Sequence, residues 1–223
     1  MLSSSSPIWL KYNNHVLKWE GKTSKDPDDT TAAACVNPGQ IHTNKGVTFC
    51  TFKQYAASLG ITPVTHSRFL NLTDNEVARF IFKFYENIQG YQYPDSIALS
   101  LVEAHWLSGL DRAKKTLIEA LQSFNMNPKN YTDAIKLSNE VKEKELFKAY
   151  NDIRYNFLVN ILGANPKYSK YKNGWKNRLN SFIDNFTPNT DGGLNLGKKI
   201  GEQAGNIAKI SIVGLAMYLF GQK

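Results

Sequence analysis

The chain has 223 residues, 42% of them hydrophobic and 21% charged, which suits a sizeable core and excludes a collagenous or largely disordered protein. With 27 Lys and Arg against 19 Asp and Glu, the net charge is +8 with His neutral; this draws the protein to polyanions without choosing among nucleic acid, anionic lipid and wall polymer. Two cysteines, Cys35 and Cys50, exclude a disulfide-rich scaffold and a Cys-rich zinc site.

At the N-terminus, MLSSSSPIWLKY carries no charged region followed by an apolar one, so a standard secretory signal is not expected. Ile8, Tyr12, Val16 and Trp19 recur at helical spacing and Gly21 stops the run. Residues 22–50 are turn chemistry, broken by Pro27, Pro38, Gly39 and Gly46. Val47, Thr48, Phe49 and Cys50 have strand character, so one or two short strands are expected there. The two cysteines either close one loop, worth about 3 kcal/mol in the chain-entropy picture, or remain free thiols; both readings stay open.

Thr73 and Glu76 form a capping box for a helix that turns Val77, Ile81, Phe84 and Ile88 inward and ends near Gly90. Pro94 suits the start of a helix reaching about Ser108. A third helix carries Ala113, Leu117, Leu121 and Phe124 on one side. The longest amphipathic pattern runs from Lys142 to Leu162, through Leu146, Tyr150, Ile153, Phe157 and Ile161, and stops at Gly163 and Pro166. A shorter helix, from about Lys172 to Phe186, contains Trp175, Leu179 and Phe182. Residues 187–196 read as a linker. Beyond it Gly197, Gly201 and Gly205 fall four apart and Ile207–Phe220 is nearly all apolar. As a helix that apolar stretch spans about 21 Å, short of a roughly 30 Å bilayer core. The readings are a helix packed on the protein through its glycines, an attachment helix for a membrane surface or a virion partner, or, least expected at this length, a full transmembrane span.

Glu20 is the residue to single out. It stands at the C-terminal end of the first helix beside Trp19, where the helix dipole and apolar burial both disfavour a carboxylate. A glutamate kept protonated in this way can give a proton to a leaving oxygen. The bland alternative is an exposed glutamate at a frayed helix end. The loop that follows offers Asp26, Asp28 and Asp29, then Thr43 and Thr48. A glycosidase commonly needs a second carboxylate across the scissile bond, and a threonine can hold the attacking water. The alternative for the Asp run is a solvated turn.

Trp19-Glu20-Gly21, Asp26-Pro27, Asn37-Pro38-Gly39 and Thr43-Asn44-Lys45-Gly46-Val47-Thr48 together resemble the N-terminal signature of glycoside hydrolase family 108. Arg154-Tyr155-x-Phe157 and Gly174-Trp175-x-Asn177-Arg178 resemble the predicted peptidoglycan-binding module that commonly follows it. The similarity extends over about residues 8–186. It departs from the family pattern at Lys22, in an expanded loop before Thr43, at Asn37 and Gln40, and in the missing Asp-Gly turn around 125–133.

The resemblance implies a mostly α, lysozyme-like helical domain with a small irregular or β region, followed by a helical C-terminal portion. It implies an N-acetylmuramidase that cleaves the β-1,4 bond between N-acetylmuramic acid and N-acetylglucosamine. Glu20 would be the general acid, Asp29 or Asp26 the second carboxylate, and Thr43 and Thr48 residues of the cleft. Trp19, Asn44, Arg154, Trp175 and Arg178 are the substrate-binding candidates, although the spacing of Trp175 to Leu179 and Phe182 also fits a core anchor.

The expected organisation is a catalytic domain over 1–126, a wall-binding portion over 127–186, and a linker with an apolar helix over 187–223. Between Ile153 and Ile183 there are six basic residues and no acidic one, interleaved with Tyr and Trp. The pattern suits a wall polymer. It would also suit single-stranded nucleic acid, but no specific nucleic acid partner is expected. His15, His42, His66 and His105 have no metal-ligand spacing, so neither metal nor cofactor is expected. The expected partner is bacterial peptidoglycan, and the expected setting is a phage-encoded protein acting on the wall in the cell envelope. The other reading is a catalytically impaired wall-binding or virion structural protein on the same scaffold.

Overall fold

The computed structural model describes residues 2–21 and 23–189. The glycine-spaced tail and its apolar stretch, like Lys22, lie outside the described residues. Among the described residues no helix is long and apolar enough to cross a membrane.

Ser6 accepts a hydrogen bond from the Trp9 amide and Pro7 takes the first helical position, which starts α1 (Pro7–Trp19). The helix stops at Glu20, whose backbone is extended. The chain then lays down β1 (Thr23–Ser24), the short α2 (Thr30–Ala33), β2 (Thr43–Asn44) and β3 (Val47–Thr48). The three strands form one antiparallel sheet in the order β1-β2-β3. Lys45 and Gly46 join β2 to β3 with φ of +48° and +82°, the two positive values that a type I′ hairpin requires.

The strand character of the 47–50 run holds only for its first half. The Thr48 hydroxyl accepts from the Thr51 amide and caps α3 (Phe49–Tyr55), so Phe49 and Cys50 are helical rather than extended. The cysteines form a disulfide with Cα atoms 5.4 Å apart, which resolves the open alternative and ties the end of α2 to α3.

After α4 (His66–Leu70), the expected capping box opens α5 (Asp74–Asn87) with both of its hydrogen bonds present. Then come α6 (Asp95–Ser108), α7 (Leu110–Gln122), α8 (Tyr131–Ser138), α9 (Glu143–Tyr155) and α10 (Lys172–Phe186). The long amphipathic pattern from Lys142 is one helical run, α9 followed by a π-helical segment over Asn156–Leu162. α6 is buried almost all round, with α5, α7 and α9 packed against it.

The loop between α7 and α8 falls where the sequence places a domain boundary, but the core does not divide there. One hydrophobic cluster runs from Ile8 and Trp9 of α1 to Phe182 and Phe186 of α10. Each fully buried large side chain contributes roughly 1.5–3 kcal/mol of transfer free energy. Trp175, Leu179, Phe182 and Phe186, all buried, therefore fix α10 firmly, and Lys11 of α1 donates to the Asn185 carbonyl at 2.8 Å. This return of α10 onto α1 decides what Glu20 meets.

Candidate active site

Glu20 is closed in, with only 4% of its surface exposed. Three elements enclose it. From α6, the Trp106 indole donates to Oε1 at 2.8 Å. From α10, Arg178 Nη1 donates to the same oxygen at 2.5 Å. From the β2–β3 hairpin, Gly46 lies so near that an added Cβ would stand 2.6 Å from the Glu20 carboxyl carbon. A glycine at position 46 thus has two physical reasons, its positive φ and this approach.

Oε2 of Glu20 has no hydrogen-bond partner. Burial pushes the carboxyl above its ordinary range, against the opposing pull of Arg178 and Trp106. Since both donors go to Oε1, a proton on this carboxyl belongs on Oε2. The arrangement can hold a carboxylic acid with its proton on the unengaged oxygen.

Behind Glu20 lies a buried charge network that sequence reasoning missed. Arg178 grips Glu103 of α6 with two donors, Nε at 2.7 Å and Nη2 at 3.1 Å. The Tyr12 hydroxyl donates to Glu103 at 2.9 Å, and His15 Nε2 lies 3.9 Å from it. Burial by itself would raise the Glu103 carboxyl, but Arg178 and His15 hold it well below the usual carboxylate range. Burial lowers His15. One signal for Glu103 was present in the sequence: it is a lone acidic residue within the apolar run 97–107, and a buried charge needs a partner. Trp106, three residues on along the same helix, carried no such signal.

The structure pairs Thr43 with Thr48 directly across β2 and β3. The Thr43 hydroxyl meets His42 Nδ1 at 2.9 Å, while that of Thr48 is engaged in capping α3. Asn44 is a strut rather than an open contact: its amide donates to the Phe69 carbonyl at 2.8 Å. Asp29 caps α2 through the Ala32 amide, and burial raises its carboxyl. Asp26 faces the C-terminal portion. Burial would raise it, but the Tyr171 hydroxyl, the Asp28 amide and Lys170 hold it below its ordinary value. Lys170 also pairs with Asp28 at 2.5 Å.

The remaining candidates for substrate contact point inward. Trp175 is 1% exposed, beside the rings of Tyr168 and Tyr171. Its apolar spacing on α10 took it into the core, so no face is open to stack on a sugar. Arg154 is buried over the Phe182 ring and donates to Asn151 at 2.8 Å. Arg178 is wholly buried between two carboxylates and reaches Glu20 rather than the surface. Trp19 is packed at the end of α1 with Lys18 over its ring. A groove of about 720 Å³ between α1 and α5 is lined by none of these candidates. Among the described residues no cluster of His, Cys, Asp or Glu has the grouping to hold a metal.

Residues 13–109 match the family model described as Glycosyl hydrolase 108, and residues 127–180 match that described as Predicted Peptidoglycan domain. No curated protein sequence matches the chain. Among solved structures, "Structure of Brucella abortus SagA" is similar with a TM-score of 0.57 and 18% identity, covering 79% of this chain and 92% of that one. At that identity the likeness speaks for the fold alone, and it agrees with the mostly α, lysozyme-like architecture.

Proposed function

We propose, from the premise that this chain carries a glycosyl hydrolase 108 domain at residues 13–109 and a predicted peptidoglycan domain at 127–180, that it is an N-acetylmuramidase. Its reaction is hydrolysis of the β-1,4 bond between N-acetylmuramic acid and N-acetylglucosamine, in the wall of the cell envelope. The observation that carries this reading is the Glu20 carboxyl: buried, with both donors on Oε1 and Oε2 unengaged.

Glu20 Oε2 gives its proton to the glycosidic oxygen as the bond breaks, so the leaving sugar departs as an alcohol. The cation developing on the other sugar needs a nearby negative charge or an activated water. Of the two loop candidates, Asp26 suits this better, because Tyr171, the Asp28 amide and Lys170 favour its ionised form. Asp29 is committed to the cap of α2. Access to Oε2 requires the β2–β3 hairpin to part from Glu20, since Gly46 lies against the carboxyl.

Glu20→Gln tests the reading. The Gln carbonyl can still accept from Trp106 and Arg178, so the fold is retained while the transferable proton is lost. Turnover should drop about 10²–10⁴-fold, the usual worth of general acid catalysis. Mass spectrometry of muropeptides released by wild type and variant is the readout. Undiminished release by a well-folded Glu20→Gln protein refutes the mechanism. A second reading, a wall-binding protein without turnover, is favoured by the closed carboxyl. It predicts that wild type binds purified peptidoglycan and releases no reducing ends.

A further inference from the structure

We propose that Glu103 is a positioning residue that keeps Glu20 in its acid form by drawing the charge of Arg178 onto itself. The inference rests on Glu20 being the general acid and goes beyond it, to what sets that acid's protonation.

The geometry is a contest between two buried carboxylates for one guanidinium. Arg178 gives two donors to Glu103 and one to Glu20. One cation balances one of the two anions, so the less well held carboxyl takes a proton. Trp106 favours the Glu20 anion with one donor, but the contacts favouring the Glu103 anion are more numerous. From α1, Tyr12 donates to it and His15 faces it. From α9, Arg154 adds positive potential in the same pocket, acting on Tyr12 and Glu103. Glu20 faces Arg178 from α10, Glu103 and Trp106 from α6, and the uncharged backbone of Gly46 from the hairpin. Glu103 and Trp106 are three residues apart and so share one face of α6. That face grips Arg178 with one side chain and orients Glu20 with the other.

Glu103→Gln removes the competing anion and turns the full charge of Arg178 onto Glu20, which then ionises more readily. The alkaline limb of the pH profile for peptidoglycan cleavage should move down by about one pH unit or more. On the alkaline limb, at a fixed pH well above the midpoint, turnover should fall about tenfold for each unit of that shift, and the acid side of the profile should survive. Tyr12→Phe removes only the hydroxyl that supports the Glu103 anion. It provides a second variant with the packing kept, shifted in the same direction by less. The Glu20 midpoint is read independently of turnover by ¹³C NMR titration of labelled Glu carboxyls in the full chain.

A lowered Glu20 midpoint with a lowered alkaline limb supports the proposal. An unmoved midpoint and limb in folded variants, with activity merely scaled, overturns it and leaves Glu103 a structural group. Failure of the general-acid reading would appear elsewhere, as activity in Glu20→Gln, and would leave the Glu20 midpoint readable.

Discussion

Gly46→Ala puts the tightest contact of the site under test. An added Cβ would lie 2.6 Å from Cδ and 2.7 Å from both Cγ and Oε2 of Glu20, well inside van der Waals contact. Two penalties combine. Holding a non-glycine residue at a φ of +82° costs roughly 1–2 kcal/mol. Moving the carboxyl aside breaks at least one of its hydrogen bonds to Trp106 and Arg178, a further 1.5–3 kcal/mol or so for a charge-assisted bond. The expected destabilisation is therefore about 3 kcal/mol or more.

Gly60 and Gly39 provide the control. Their φ values are +71° and +79°, and a Cβ at either would meet nothing within 4 Å. Alanine at these positions should cost only the backbone strain, about 1–2 kcal/mol. Urea denaturation followed by tryptophan fluorescence compares the three variants. If Gly46→Ala costs no more than Gly60→Ala, the hairpin does not rest on the Glu20 carboxyl and the description of the closed site is wrong.

Arg178→Met should destabilise by about 3–5 kcal/mol at neutral pH, because it strands two buried carboxylates. In that variant Glu103 no longer has the cation that depresses it, so stability should recover as pH falls; a pH series of denaturation midpoints checks the sign. Burial holds His105 at about 3 against 6.5 in the open chain, with neither ring nitrogen hydrogen-bonded. The unfolded chain then binds a proton that the native state refuses, so stability should decline by about 1.4 kcal/mol per pH unit below about 6.5. His15 acts in the same direction. His105→Gln should flatten that slope, and an unchanged slope would show that His105 is not its source. Reduction of Cys35–Cys50 releases a loop of 15 residues' separation and should cost about 3 kcal/mol, seen as a lower melting temperature in dithiothreitol.

Most of the helices could be read from the chain because their signals are local. The Thr73–Glu76 capping box and Lys172–Phe186 fell where spacing put them. α8 and the short α2 and α4 were not read, since four to eight residues carry too little periodicity to stand out. Phe49 and Cys50 went to a helix because the cap at Thr48 outweighed their strand propensity. At Trp175, periodicity correctly identified the inward face, while the likeness to a binding module pointed outward.

The sequence by itself determined the amphipathic elements, the motifs and the placing of a glutamate at the end of α1. Periodicity reports that a face is buried, and it is silent on what that face is buried against. Only the tertiary structure decided which groups surround that glutamate. Trp106 comes to it from 86 residues away and Arg178 from 158. Buried charges interact strongly and over distances unrelated to separation along the chain, so the partners of Glu20 follow from how α6 and α10 pack rather than from any local pattern.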